Sequence, residues 1–486
     1  MKNTNINYFH IDKGEDPLVQ AKLLKEFINN KLKDENFSKF LSKISSSLAL
    51  PIETVEFETK QYLIRNHNFV TGKFKSIFKF SSIFYTVVKF FSSFIYILFF
   101  SKKINFLKNV DIIYDECETK NEINRVKNLS KYFKTHLVIS SVKIKNDNNV
   151  FYFGKYKNCD RNFLLKNLKI FFFVNFAYSL YTSYVESTNM LSIYLHILKR
   201  LIKYETIFTQ VKAKFLLQER HYTTSAIKNF LFKKNKGIIT SCLQKNIIQI
   251  GETGFCINTD ILFSIGRKGT EILKSTDSQI NSIIPVGSTL MEYWINSKKD
   301  REPSYDMVNF AGNDMPRFSV HDNYMKNYYK HLKWLVKFSK EYPELKIIIK
   351  HHSNNEKIDQ EELKIIKGTS IKRIVKGELK NNSNHSSYGY GYNAKFICTF
   401  CSTIAYEFLS NKKPCYFLDP NLENNSWLHY EEYNSFLRLG TYEEFKKKAF
   451  EAIFENKETE IKNNEDFCLK SDNVSKNIFD HFEKYI

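Results

Sequence analysis

The chain has 486 residues, more than one hydrophobic core usually organises, so two or three domains are expected and a single small module is excluded. With 43% hydrophobic and 16% aromatic residues, but only 15 Gly and 8 Pro, it is neither disordered nor collagen-like. A formal charge of +21 points to anionic partners: nucleic acid, acidic lipid headgroups or phosphorylated substrates.

Residues 1 to 70 read as polar helices of mixed charge, an extension without visible chemistry. Asp12, Lys13, Glu15 and Asp16 interrupt any signal peptide at the start, and the 8 cysteines are scattered through the chain. Both features suit a cytoplasmic protein. From Lys73 to Lys103 the character changes: Lys89 is the only charge between Phe80 and Phe100, and Lys73, Lys75, Lys79, Lys102 and Lys103 flank the run. This segment reads as a helix lying in the headgroup region of an anionic membrane, with a buried core helix and a true span as the alternatives.

Beyond it, short apolar runs alternate with helical stretches, the pattern of an α/β protein with parallel sheets. Val110–Ile113, His136–Ile139, Phe215–Leu217, Gly237–Thr240 and Ile261–Ser264 form one set of strands, with a long aromatic helical region from Arg161 to about Lys212 among them. Asp306–Phe310, Leu345–Ile349, Ile371–Val375, Phe396–Thr399 and Cys415–Leu418 form a second set. The join falls near Ile284-Pro285-Val286-Gly287-Ser288, and a helix from about Asn473 to Tyr485 ends the chain. The boundaries expected are a helical extension over 1–105, a first sheet domain over 106–283, a second over 284–455 and a helical tail over 456–486. Ligands of such sheets lie beyond the carboxyl ends of the strands.

Three strand ends carry candidate chemistry. After Lys395–Thr399, Ser402 and Thr403 stand at a helix N-terminus, where hydroxyls and free N–H groups suit a phosphate, and Glu407 lies one turn on, able to accept from sugar hydroxyls. A plain N-cap and a solvated glutamate are the alternative. Lys350, His351 and His352 follow Leu345–Ile349 and suit a leaving phosphate, or form a polar surface turn. Glu219 follows Phe215–Leu217 as a general base for an acceptor hydroxyl, or as a helix-start acid. Cys398 and Cys401 form a C-x-x-C with no second ligand pair nearby, so they read as structural. The P-loop, dinucleotide, nucleophile-elbow, zincin and EF-hand motifs are all missing, and no metal or cofactor is implied.

Four stretches together resemble the GT-B glycosyltransferases of bacterial surface carbohydrate biosynthesis, a group that includes capsule polysaccharide transferases and teichoic acid glycerophosphotransferases. They are LLQERHYTTSAIKNFLFKKNKGIITSCLQKN, DILFSIG with IIPVGS, IIIKHH, and SSYGYGYNAKFICTFCSTIAYEFLSNKKPCYFLDP, spanning roughly residues 214–440. The resemblance implies two Rossmann-like parallel-sheet domains facing a cleft, and a metal-independent transfer of a sugar from a nucleotide-activated donor to a glycan or lipid-linked acceptor. It implies that Ser402 and Thr403 bind donor phosphate, Glu407 contacts ribose or sugar, His351 or His352 faces the leaving group, and Tyr388 lines the nucleobase. Lys350, Gly287 and Ser288 join the donor side. Where relatives carry Gln-His-Gly, this chain has Gln244-Lys245-Asn246, which leaves Glu219 as the catalytic base. The protein is then peripheral on the inner face of the cytoplasmic membrane, and nucleic acid is not an expected partner. A sugar-nucleotide epimerase or hydrolase of the same fold, and a non-catalytic membrane- or nucleic-acid-binding protein, are the rival readings.

Overall fold

The computed structural model describes residues 17–71, 76–100, 108–118, 120–141, 149–152, 161–186, 188–245, 256–267, 270, 273, 276–296, 305–311, 322–351, 360–374, 387–400, 402, 404–420, 438–457 and 466–485. His352, Thr403, Cys401, Asn246 and the flanking lysines Lys73, Lys75, Lys102 and Lys103 lie outside them.

The alternating pattern resolves into two sheets. Strands β1 (Lys108–Cys117), β2 (His136–Ser140), β3 (Val150–Tyr152), β4 (Val211–Gln218), β5 (Ile239–Leu243), β6 (Asn258–Ser264) and β7 (Gln279–Pro285) form the first. Their spatial order is β3-β2-β1-β4-β5-β6-β7, with all neighbours parallel. Strands β8 (Tyr305–Phe310), β9 (Ile347–Lys350), β10 (Lys372–Ile374), β11 (Ala394–Thr399), β12 (Cys415–Leu418) and β13 (Arg438–Leu439) form the second. Their order is β10-β9-β8-β11-β12-β13, again parallel. The strand order reverses between β1 and β4 in one sheet and between β8 and β11 in the other. Loops diverge at these two points and leave a crevice beyond the strand ends.

Parallel strands need helices on both faces, and side chains two apart share a face. Ile113 and Leu216 accordingly point into one core, while Ile112, Tyr114, Phe215 and Leu217 point into the opposite one. The second sheet divides likewise, with Met307, Phe396 and Cys398 on one side and Val308 and Ile397 on the other.

The N-terminal helices are not an appendage, contrary to the sequence reading. Helix Glu35–Leu48, capped by Asp34 accepting from Phe37 N at 2.9 Å, buries Phe37, Phe40, Leu41, Ile44 and Leu48 in the first lobe's core. Helix Ile52–Thr71 adds Glu58, which accepts from Ser225 Oγ at 2.6 Å and lies 2.8 Å from His196 Nε2. Burial opposes its ionisation, yet the bond and charge of His196, with Arg200, hold its pKa down at about 2. A buried carboxylate so paired fixes this helix to Met190–Phe208 and Ala226–Lys234.

The C-terminal helix Val474–Glu483 also returns to the first lobe, where Phe482 packs 4.6 Å from Phe215 and 5.4 Å from Phe263 between ring centroids. Its approach needs Gly287, at φ +97, and Gly266, where a Cβ would collide with the backbone of Phe467.

Candidate active site

At the first switch point, helix Lys120–Ser130 follows β1, and Glu219-Arg220-His221 follow β4. Glu219 N donates to Asp115 O at 3.2 Å, so the register of β1 and β4 sets where its side chain starts. Its Oε1 meets Arg125 Nη2 at 2.5 Å. Glu122, one turn before Arg125, accepts from Arg220 Nη2 at 2.6 Å and lies 3.6 Å from Lys245 Nζ beyond β5. Arg220 Nη1 reaches Glu118 at 2.7 Å.

Three cations and three carboxylates thus interleave, and all but Glu118 are largely buried. Burial raises the pKa of Glu219, with Arg125 opposing and Glu122 reinforcing the shift. For Glu122 burial acts the same way, but the bond and charge of Arg220, helped by Lys245 and Arg125, outweigh it and lower the pKa. Burial, then the Arg220 charge, lowers that of Lys245. The buried Nε–H groups of Arg125 and Arg220 find no acceptor among the described residues.

At the second switch point, β11 leads into the short helix Ile404–Ser410. Ser402 is half-buried; its N–H donates to Thr399 Oγ1 at 3.0 Å and its Oγ stands 3.5 Å from Ile404 N, so its cap is loose. Glu407 is buried, not solvated: one carboxylate oxygen accepts from Ser288 Oγ and the other from Tyr388 OH at 2.7 Å. Burial raises its pKa to about 7, against the two hydrogen bonds and the charge of Arg125. Burial and Glu407 raise that of Tyr388, again opposed by Arg125. Arg125 of the first lobe is therefore felt electrostatically at Glu407 and Tyr388 of the second.

Of the residues singled out in the sequence, the fold brings Ser288, Tyr388 and Glu407 into one cluster, while Glu219 pairs with Arg125, whose charge is felt at Glu407 and Tyr388. Ser288 also caps helix Thr289–Asn296 and takes a bond from its own N–H to Ser471 Oγ at 3.1 Å, so Gly287 and Ser288 hold the returning C-terminal segment. Lys350 and His351 are placed elsewhere. Lys350 Nζ donates to His351 O at 2.5 Å, and His351 Nε2 lies 2.7 Å from Glu362 Oε1, in a buried group with Arg373 and Tyr328. Cys398 is buried and its thiol is pushed up by burial, as a structural cysteine's would be. Sequence reasoning missed Glu122, Arg125, Arg220 and Lys245. The available signal was an acid and a base three apart on the helix after β1, facing the base that follows Glu219.

Two doubly wound parallel sheets, joined by a crossing segment and a returning C-terminal helix, make this a two-lobed α/β protein of the GT-B architecture. No family model and no curated protein matches the chain. Among solved structures it is similar to the S. aureus MnaA–UDP co-structure, at 13% identity and TM-score 0.44 over 78% of this chain and 97% of that one. It is similar to the UDP-GlcNAc 2-epimerase from Neisseria meningitidis bound to UDP-GlcNAc, at 11% identity and TM-score 0.43 over 77% and 100%. It is also similar to the wall teichoic acid polymerase TagF with CDPG, at 12% identity and TM-score 0.40 over 83% and 97%.

Proposed function

We propose that the protein is a glycosyltransferase that moves a sugar from a nucleotide-activated donor to a glycan or lipid-linked acceptor in surface polysaccharide synthesis. The observation that carries this reading is the buried Arg125–Glu219 pair at the first switch point, felt electrostatically at Glu407 and Tyr388 of the second. A nucleotide sugar brings a diphosphate, which needs cations in a crevice shielded from water. Arg125, Arg220 and Lys245 supply them.

The acceptor hydroxyl must lose a proton as it attacks. Glu219 takes it. Its carboxylate is already less acidic than usual because it is buried, and Arg125 is the cation that restrains this shift. An incoming diphosphate competes with Glu219 for Arg125, so donor binding strengthens the base at the moment it is required. Ser402 adds a hydroxyl beside the donor, and Glu407, Ser288 and Tyr388 fix the floor on which it rests.

The test is thermal stabilisation of the full chain by UDP, GDP, CMP and CDP, followed by sugar transfer with Glu219→Gln. One of these nucleotides raises the unfolding midpoint, as any ligand selective for the native state does. Glu219→Gln then lowers turnover by about 10²–10⁴-fold while the nucleotide still stabilises the variant, at least as strongly as wild type, because glutamine competes less with a diphosphate for Arg125. Stabilisation by none of the nucleotides, or undiminished transfer in the variant, refutes the reading. Turnover of donor without any acceptor reassigns the site to epimerisation or hydrolysis.

A further inference from the structure

The helix Ser76–Phe100 has two faces. Toward the protein, Asn189 Nδ2 donates to Ser82 Oγ at 3.2 Å and Thr86 Oγ1 at 3.1 Å, and Phe90 is buried against Phe172, Phe176 and Tyr194. Toward solvent it presents Phe84 at 61% exposure, Phe99 at 76%, and Val88, Phe91 and Ile95 between them. These positions recur at helical spacing, so they form one stripe. No described helix is long and apolar enough to cross a membrane. This one is moreover bonded to the lobe along one side, which fixes it parallel to the surface.

The stripe does not stand alone. The π-helix Lys169–Val174 and the helix Asn175–Val185 pack beside it, with ring centroids of Phe91 and Phe176 5.3 Å apart, and Phe90 in contact with both Phe172 and Phe176. Their own outward side chains include Phe173 at 68% and Tyr184 at 84% exposure. A π-helix adds a residue to the turn and re-aims the aromatics that follow it. Two chain segments far apart in sequence therefore contribute exposed aromatic side chains beside one another, and not scattered singly.

Charge identifies what covers it. Residues 59–110 contain no Asp or Glu and nine Lys or Arg, and residues 161–185 contain no acid but Arg161, Lys166 and Lys169. Lys89 and Lys169 are exposed on these elements, and Lys166 is exposed at the end of the helix Arg161–Lys166 just before Lys169. A second copy of the same face would set these lysines against each other with no carboxylate to pair them. An anionic bilayer answers both features, taking the aromatics below its headgroups and the lysines among its phosphates.

We infer that the joint outer face of Ser76–Phe100 and Lys169–Val185 is a docking surface for an anionic lipid bilayer, with both elements lying in the plane of the membrane. The experiment is co-sedimentation of the full-length protein with phosphatidylcholine vesicles, with and without phosphatidylglycerol. No donor or acceptor is present, so the result is independent of the proposed reaction. Wild type binds the phosphatidylglycerol vesicles and is released by salt. The variant Phe84→Ser/Phe173→Ser/Tyr184→Ser weakens partitioning about fivefold for each aromatic withdrawn, roughly a hundredfold in all. Lys166→Glu/Lys169→Glu weakens it about tenfold on the anionic vesicles only. These side chains are exposed, so the unfolding midpoints should be unchanged; if the triple variant unfolds, the lysine pair and Phe173→Ser alone give the reading. Failure of wild type to bind, binding untouched by these changes, or a wild-type dimer that the aromatic variant converts to monomer would overturn the inference.

Discussion

Glu407→Gln tests whether the junction between the lobes is as dry as the structure makes it. Burial raises the Glu407 pKa from 4.5 to about 7, although two hydroxyls donate to it and Arg125 is near. A folded-state pKa above the unfolded value means that the native state holds the proton more tightly. Its stabilising effect is complete below about pH 4.5 and is lost as pH rises to about 7, beyond which the curve is flat. At 1.36 kcal/mol per pKa unit, the loss is about 3 kcal/mol. Glutamine fills the same space and cannot ionise, so this component disappears. The assay is urea unfolding of both proteins at several values between about pH 4.5 and about pH 8, read as the difference between them so that all other titrations cancel. The expected result is a variant that becomes progressively more stable than wild type with rising pH, by about 3 kcal/mol in all. Parallel curves would refute the reasoning, since they would mean that Glu407 ionises as it does in water.

Two further changes probe the surroundings. Glu362→Ala leaves His351 and Arg373 without their shared carboxylate and costs about 3 kcal/mol in denaturant unfolding; because Glu362 bonds to His351, Arg373 and Tyr328 while Glu407 bonds to Ser288 and Tyr388, the affinity measured for the stabilising nucleotide should not change, and a parallel loss of affinity would return His351 to the donor side. Gly287→Ala forces a side chain into φ +97, with Leu469 O 3.2 Å from the new Cβ, and lowers stability by about 1–3 kcal/mol in the same assay; an unchanged midpoint would show that the crossing turn relaxes freely.

The chain declares its central strands and conceals its edges, for a physical reason. Phe396–Thr399 and Cys415–Leu418 are buried on both faces and stand out as unbroken apolar runs. Strand β7 is largely exposed, so Gln279, Asn281 and Ser282 interrupt it, while β3 and β13 are too short to show a period. The N-terminal helices were obscured in another way. Lysines and serines dilute the average hydropathy of Glu35–Leu48, yet Phe37, Phe40, Leu41, Ile44 and Leu48 fall on one stripe, and burial follows the stripe and not the average.

The site divides along the same line. Glu219 and Glu407 could be found because strand ends are local features, and Ser288 and Tyr388 because they sit in motifs. Arg125 could not. Its significance is that its guanidinium binds Glu219 while its charge is felt at Glu407, and that is a property of how two sheets are set against each other. The departure at Gln244-Lys245-Asn246 takes on a different meaning in this setting. The fold adds a cation beside Glu122 there, so that Arg125, Arg220 and Lys245 interleave with Glu118, Glu122 and Glu219. Under the proposed function the proton-accepting role falls to Glu219, whose carboxylate burial makes reluctant to ionise, as it does that of Glu407.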